Sequence, residues 1–365
     1  MHFSRCIKSL TISSSCNRLT ELGLAVLEPC MTHLTELREF RCDLELPSNV
    51  GVVRLVQVQC PQLETVRLTI LGLDLGTPLG QSQSITLLGF KNLLSYSLSL
   101  NLWSKINSER LGPLETLAIN CPKLETLKLY LSLNDVSSQG SFTPDILAAS
   151  FGKATMPSLH TLHICGGVRL NAKSLLGSPT TGSHPFRDFL LRHPLISDLK
   201  IECITADHWW QGPDTDPENL ACALPSLTHL SAPDFLCAQL VCSTVATRLQ
   251  HMQVRQSTHL LLGKFDPLPM PMLQGLYIES NRSWEALDIM QLVMPVATGL
   301  KDLWFAASVE YKGTQFLELL AHTPNLQTIK MGDPCDNASY ELFRKIEKVN
   351  PDLKITFMWR WESID

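Results

Sequence analysis

Two histidines and a cysteine lie close together in the sequence and could ligate a metal ion. His160, His163 and Cys165 fall within one short segment, and imidazole and thiolate groups are common zinc ligands. Side chains alternate along a strand, so His163 and Cys165 would share one face while His160 points to the other. Two ligands are too few for a tetrahedral site. We therefore predict that the two histidines are ordinary surface residues and that the chain binds no metal and no cofactor.

Motifs of catalysis are not found in the sequence. It contains no Gly-x-Ser-x-Gly elbow and no His-Glu-x-x-His pair, and Phe151-Gly152-Lys153 lacks the upstream glycine of a phosphate-binding loop. We predict that the protein is not an enzyme. The alternative is an active site in two Gly- and Pro-rich loops, 177–185 and 206–217, that would depend on His184 or His208. We expect the adjacent Trp209-Trp210 to pack the second loop back onto the repeats.

One nine-residue phrase occurs twice almost unchanged. Residues 60–68 read CPQLETVRL and residues 121–129 read CPKLETLKL. With the first leucine as position 0, apolar residues follow at +3 and +5, and this pattern recurs along the chain, although the last phrase, at Leu353, is off the pattern. The phrases start at Ile7, Leu37, Leu63, Leu93, Leu124, Leu159, Ile196, Leu227, Leu249, Leu273, Leu300, Leu326 and Leu353. Their mean spacing of about 29 residues lies at the upper edge of the leucine-rich-repeat range.

Each repeat is predicted to be a helix, a Pro-x-Leu turn and a short strand. Residues with helical spacing precede most phrases, and a proline such as Pro61 or Pro122 then follows. Proline ends a helix and favours an extended predecessor. Stacked repeats of this kind predict an α/β leucine-rich-repeat solenoid, a curved arc or horseshoe with parallel strands on the concave face and helices outside. We expect one domain, 1–365, of about thirteen repeats, with the last repeat, from about 340, as a C-terminal cap.

The residues at +4 should form a row along the inner wall, because strands in a repeat protein stack in register. This row is basic in the first half and carries two aromatics, expected to be exposed, in the second. Its members that we predict to bind a partner are Arg41, Arg67, Lys128, His163, Lys200, Tyr277 and Trp304. Arginine and aromatic side chains are enriched at binding hot spots. Alternatively, Arg41 and Arg67 only pair with Glu39 and Glu64 at the surface, each pair contributing about 0 to 1 kcal/mol.

Composition narrows the class of partner and the compartment. The net charge of −5 gives no reason to expect nucleic acid, and no apolar run is long enough for a signal peptide or a membrane span. The twelve cysteines form no Cys-x-x-Cys pair and fit small buried hydrophobic residues. We expect a cytoplasmic or nuclear monomer without a membrane contact.

The phrases at 60–68 and 121–129 resemble the cysteine-containing repeats of F-box/leucine-rich-repeat proteins, and residues 3–15 resemble the first repeat after the F-box linker of the fungal type. The resemblance covers essentially the whole chain. It implies a scaffold that recognises the substrate of a cullin-type ubiquitin ligase, with a protein held on the concave face. The F-box itself is expected to be absent from this chain, so a Skp-type adaptor is expected to bind only if an F-box lies upstream. The alternative is a stand-alone binding protein of the ribonuclease-inhibitor or GTPase-regulator kind.

Overall fold

The computed structural model describes the chain in segments and as two compact units. The described residues are 6–13, 29–45, 50–73, 87–102, 114–133, 143–170, 175, 177, 184–206, 216–255, 266–279, 283–305, 313–332, 344–348 and 350–358. The first unit comprises 1–175, 182–196 and 203–207, and the second comprises 176–181, 197–202 and 208–365. One domain over the whole chain stays a prediction, as does the curved shape. Most of the two loops at 177–185 and 206–217, including His208, Trp209 and Trp210, lies outside the described residues.

Thirteen strands are present among the described residues, one for each phrase. They are β1 Ser9–Ile12, β2 Glu39–Glu45, β3 Thr65–Leu73, β4 Ser95–Leu102, β5 Thr126–Leu133, β6 Thr161–Leu170, β7 Asp198–Ala206, β8 His229–Pro233, β9 His251–Arg255, β10 Gly275–Glu279, β11 Asp302–Phe305, β12 Thr328–Gly332 and β13 Lys354–Met358. β1 to β6 belong to the first unit, and β7 begins in the second. Within each unit, strands consecutive in the chain pair in parallel. The predicted parallel arrangement is confirmed.

Helices precede many of the strands, as the pattern predicts. They are α1 Val50–Gln59, α2 Glu115–Asn120, α3 Pro144–Ser150, α4 Pro185–Arg192, α5 Pro217–Ala223, α6 Asp234–Val241, α7 Ser283–Val293 and α8 Gly313–Leu320, with 3-10 turns at Thr244–Arg248 and Met294–Val296. Side chains cap two of them: Thr143 Oγ1 accepts from the Ile146 N–H at 3.2 Å, and Asp216 Oδ1 accepts from the Glu218 N–H at 2.9 Å. Such caps satisfy backbone donors that a helix leaves unpaired. No described helix is long and apolar enough to cross a bilayer.

The apolar positions of the phrase form the core between strands and helices. Leu124, Leu127 and Leu129 are at most 1% exposed, as the alternation of side chains on a strand requires. In the second unit the rings of Phe305 in β11 and Phe316 in α8 lie 5.5 Å apart, centre to centre. From β2 to β12, one face of each strand is therefore buried, whereas the apolar residues Leu10 and Ile12 of β1 and Ile355 of β13 are only partly buried.

The same backbone clamp starts almost every strand. The N–H groups at +1 and +2 both donate to the +1 carbonyl of the preceding repeat, as His160 and Thr161 do to Glu125 at 2.9 and 3.0 Å. In the second unit Gln250 and His251 donate to Thr228 in the same way, at 2.8 and 3.1 Å. Because the clamp fixes where pairing begins, it also fixes which side chains of neighbouring repeats stand side by side.

The cysteine of the phrase is a core residue at a position that recurs in other repeats. Cys60 and Cys121 lie three residues before position 0 and are buried, and the Cys121 thiol donates to the carbonyl of Phe90, the equivalent residue one repeat earlier, at 3.4 Å. Burial raises the pKa of Cys60 to about 11 and also raises that of Cys121. These thiols are small hydrophobic residues with a weak donor, as predicted.

The last strand departs from the pattern by one residue. Lys354 pairs with Thr328, and Ile355 pairs with Ile329, so this phrase is one residue shorter between position 0 and the strand. Ile346 is buried in the turn of helix before it, while Lys345, Glu347 and Lys348 are exposed. A polar outer surface of this kind fits the predicted terminal cap.

Candidate functional site

The strand register builds the predicted +4 row in the first unit. Arg41 lies beside Arg67, followed strand by strand by Ser97, Lys128 and His163. These side chains lie on the face of the sheet opposite the buried leucines. We call this face the polar face; it consists of the outward side chains at +2, +4 and +6 of the strands. Arg41 and Arg67 are exposed, and Lys128 and His163 are half-buried. The alignment of the row is confirmed, whereas its role in binding stays a prediction.

Arg41 is engaged by a carboxylate on its own strand. Its Nε lies 2.8 Å from Glu39 Oε1, and Ser9 Oγ donates to Glu39 Oε2 at 3.2 Å. The hydrogen bond from Arg41 is the main cause that lowers the pKa of Glu39. Arg41 therefore pairs with Glu39, as expected under the alternative that these arginines only form surface ion pairs.

Arg67 does not make the pair with Glu64 that this alternative expects. Glu64 Oε1 instead lies 3.2 Å from Nη1 of Arg38, because both residues occupy the +1 position of neighbouring repeats, before the strands begin. Arg67 makes no ion pair with a described residue, although its charge contributes to the lowered pKa of Glu39. Arg67 thus remains available on the polar face.

The second unit carries the rest of the row. Lys200 pairs in register with Ser231, and Gln253, Tyr277, Trp304 and Lys330 follow strand by strand. The expectation that both aromatics are exposed is wrong, since Tyr277 and Trp304 are half-buried.

Tyr277 is half-buried because its ring lies across a glycine. A Cβ on Gly275 would stand 2.9 Å from Tyr277 Cε2 and 2.6 Å from His251 Nδ1. The ring of His251 stacks on His229 at 4.7 Å and lies 6.4 Å from that of Tyr277. Burial lowers the pKa of His251, helped by the neighbouring His229 and opposed by Asp302. Burial likewise raises the pKa of Tyr277, so both rings are neutral near neutral pH.

A charged network at +6, two residues beyond the predicted +4 row, was missed by the sequence reasoning. Arg255 forms ion pairs with Glu202 and, at 3.2 Å, with Glu279. Lys200 Nζ lies 3.7 Å from Glu202, and Gln253 Nε2 donates to Glu279 at 2.6 Å. The alternation of side chains along a strand could have indicated it, because it puts +6 on the same face as +2 and +4. Because two cations meet two carboxylates here, Lys200 and Arg255 are neutralised within the unit.

The three residues first considered as metal ligands do not form a metal site. Cys165 is buried beside the larger Tyr130 of the neighbouring strand, as expected of a cysteine that acts as a small hydrophobic residue. No group of three or more His, Cys, Asp or Glu side chains in the described part of the chain could hold a metal ion. The Phe151-Gly152-Lys153 segment follows the end of α3, where Phe151 is the C-cap. Catalysis at His184 or His208 stays an alternative.

The repeated turn, the parallel strands and the helix layer define the class: an α/β solenoid of the leucine-rich-repeat type. No protein-family model matches the chain, and no curated protein matches it significantly. Among solved structures the chain is similar to one in the crystal structure of the Rad7 and Elc1 complex in yeast. The identity is 15% and the TM-score is 0.47, over 95% of this chain and 85% of that chain.

Proposed function

We propose that the protein is an interaction scaffold that binds a partner protein on its polar face. The observation that supports this most directly is the register, which collects side chains that differ from repeat to repeat into rows while the other face of the same strands is buried. A rigid sheet that presents arginine, lysine and aromatic groups in fixed positions has the residue types of a binding surface.

The finer proposal is that this scaffold recognises the substrate of a cullin-type ubiquitin ligase, as the F-box/leucine-rich-repeat proteins do. It rests on the resemblance of the phrases at 60–68 and 121–129. Other subunits would then supply the chemistry, and this chain would act without a catalytic group, in the cytoplasm or nucleus. A stand-alone binding protein remains the alternative. Binding of a Skp-type adaptor by a chain extended with its upstream genomic sequence would favour the ligase role.

The scaffold proposal predicts that partner capture depends on the polar face. We expect Arg67→Glu combined with Lys128→Glu to lose the proteins that the wild-type chain captures from a cell extract, since both side chains point outward from the sheet. Two exposed cations away from the strands, Arg54 in α1 and Lys123 in the turn before β5, provide a control with the same change of charge. Quantitative mass spectrometry compares the three chains.

Arg54→Glu with Lys123→Glu should retain those proteins. If the control pair lost them while the polar-face pair kept them, binding would take place on the helix side and the proposal would be wrong. Thermal unfolding of each variant checks that the fold is intact, since Arg54, Arg67 and Lys123 are exposed but Lys128 is half-buried.

A further inference from the structure

Nine outward side chains on three consecutive strands of the first unit have one chemical property in common: each carries a hydrogen-bond donor. We call them the donor block. They are Thr65, Arg67 and Thr69 on β3, Ser95, Ser97 and Ser99 on β4, and Thr126, Lys128 and Tyr130 on β5. The register aligns them in three rows of three. The block contains two cations and seven hydroxyl groups, and no carboxylate or amide.

The cations of the block, unlike Arg41, Lys200 and Arg255, are not neutralised by a described carboxylate. Arg41 is held by Glu39, and Arg255 and Lys200 are held by glutamates of the second unit. Neither Arg67 nor Lys128 makes an ion pair with a described residue. A site that must attract a negative group needs such uncommitted charge, because an ion pair already formed contributes little further attraction.

The geometry of the block leaves space between the two cations. Strands lie about 4.8 Å apart, so the Cα atoms of Arg67 and Lys128 are separated by about 10 Å. Between them β4 presents only serines, whose short side chains leave its surface lower than the long arginine and lysine on either side. Ser97 is the register partner of both cations. The result is a shallow trough lined by hydroxyl groups and flanked by positive charge.

We propose that this trough binds an acidic peptide segment, rich in aspartate and glutamate, of the partner protein. This rests on the proposed function and gives the partner a chemical class. The donors are spread over three strands instead of converging on one point, and a spread array fits several singly charged carboxylates. The arginine fork matches a carboxylate with two parallel hydrogen bonds, and the lysine supplies a point charge. Hydroxyl donors between them complete the match without a competing negative charge.

The proposal is tested with peptides whose charge is varied at constant length. Fluorescence polarisation measures binding of a labelled decamer rich in glutamate, of the same peptide with every glutamate changed to glutamine, and of the glutamine peptide carrying one phosphoserine. We expect only the glutamate peptide to bind well. Its affinity should fall as ionic strength rises from about 0.01 M to about 0.15 M, since the Debye length then shortens from about 30 Å to about 8 Å.

Variants connect the binding to the block. Arg67→Gln with Lys128→Gln should weaken binding of the glutamate peptide by about tenfold, as expected for the loss of two charge pairs at the surface, whereas Arg54→Gln with Lys123→Gln should leave it unchanged. Equal loss in both variants, equal binding of the glutamine peptide, or no binding of the glutamate peptide would overturn the proposal. Preference for the phosphoserine peptide would also overturn it, in favour of a phosphate site. If partner capture depends on the polar face while acidic peptides fail to bind, the scaffold proposal stands and only the acidic class of partner is wrong.

Discussion

Replacing Gly166 by alanine is expected to lower the free energy of unfolding by about 3 kcal/mol. Gly166 lies in β6 with a φ of +102°, a backbone conformation that residues with a Cβ rarely adopt. It pairs with Leu131 of β5, and a Cβ would stand 2.2 Å from the Leu131 carbonyl oxygen. That oxygen belongs to a backbone held in the sheet, so the strands must separate locally to admit the methyl group.

Urea unfolding of the purified chain measures this change, and Gly51 provides the matched control. Apart from its chain neighbours and its own helix backbone, no heavy atom of a described residue lies within 4 Å of a Cβ built at Gly51, which is in α1 of the same unit. Gly51→Ala should keep or raise the stability by up to about 1 kcal/mol, because alanine favours the helix. An unchanged midpoint for Gly166→Ala would contradict the close pairing of β5 with β6.

The second large effect is expected at His193, the buried histidine that occupies the position of the phrase cysteine in its own repeat. Its Nδ1 lies 2.6 Å from the Phe189 carbonyl and its Nε2 accepts from the Met156 N–H at 3.0 Å. The ring therefore ties the end of α4 to the turn of the preceding repeat. His193→Leu leaves a buried donor and a buried acceptor without this partner, and we expect a loss of about 2 to 4 kcal/mol in unfolding free energy.

The same contacts make the stability depend on pH. Burial lowers the pKa of His193 below its usual 6.5. A proton on Nε2 would also remove the acceptor of the Met156 N–H. In the folded chain the ring stays neutral, while in the unfolded chain it takes up a proton below about pH 6.5. Below that pH the unfolded state binds more protons than the folded state. The contribution of neutral His193 to the free energy of unfolding is therefore fully present above about pH 6.5. It is lost as the pH falls further, by at most about 1.4 kcal/mol per pH unit.

Urea unfolding between neutral and mildly acidic pH compares the wild type with His193→Leu and with His33→Leu, an exposed histidine of the same unit. The His193 variant should lose part of the acid-dependent decrease that the wild type and the His33 variant show. If all three chains have the same pH profile, His193 is not held neutral by these contacts.

The strands could be predicted from the sequence because one physical requirement repeats along the chain. The phrases from Leu37 to Leu326 bury their apolar side chains at 0, +3 and +5. Twelve strands begin at +2 of the predicted phrase, and the register of the +4 row follows. The last phrase is off the pattern already in the sequence, because Thr356 stands at +3. Its strand begins one residue earlier, so that Ile355 at +2 pairs with Ile329 at +3 of the preceding repeat.

The pairing of charges could not be predicted in the same way. Glu64 pairs with Arg38 instead of Arg67, and the partners of Arg255 lie on two other strands. Long side chains can reach several neighbours at similar distances, and sequence spacing does not decide among them. The structure was needed to show which cations make no ion pair, and hence where the polar face can attract a partner.

The central claim is that a partner binds to the strands' polar face, and site-specific photo-crosslinking tests it without reference to charge. A photoreactive residue is placed at Ser97, at the centre of the donor block on the polar face of the first unit, or at Ile119, which is 66% exposed in α2. Both chains are irradiated with the proteins captured by the wild type. We expect a crosslinked partner from position 97 and none from position 119; a crosslink from position 119 alone would contradict the claim.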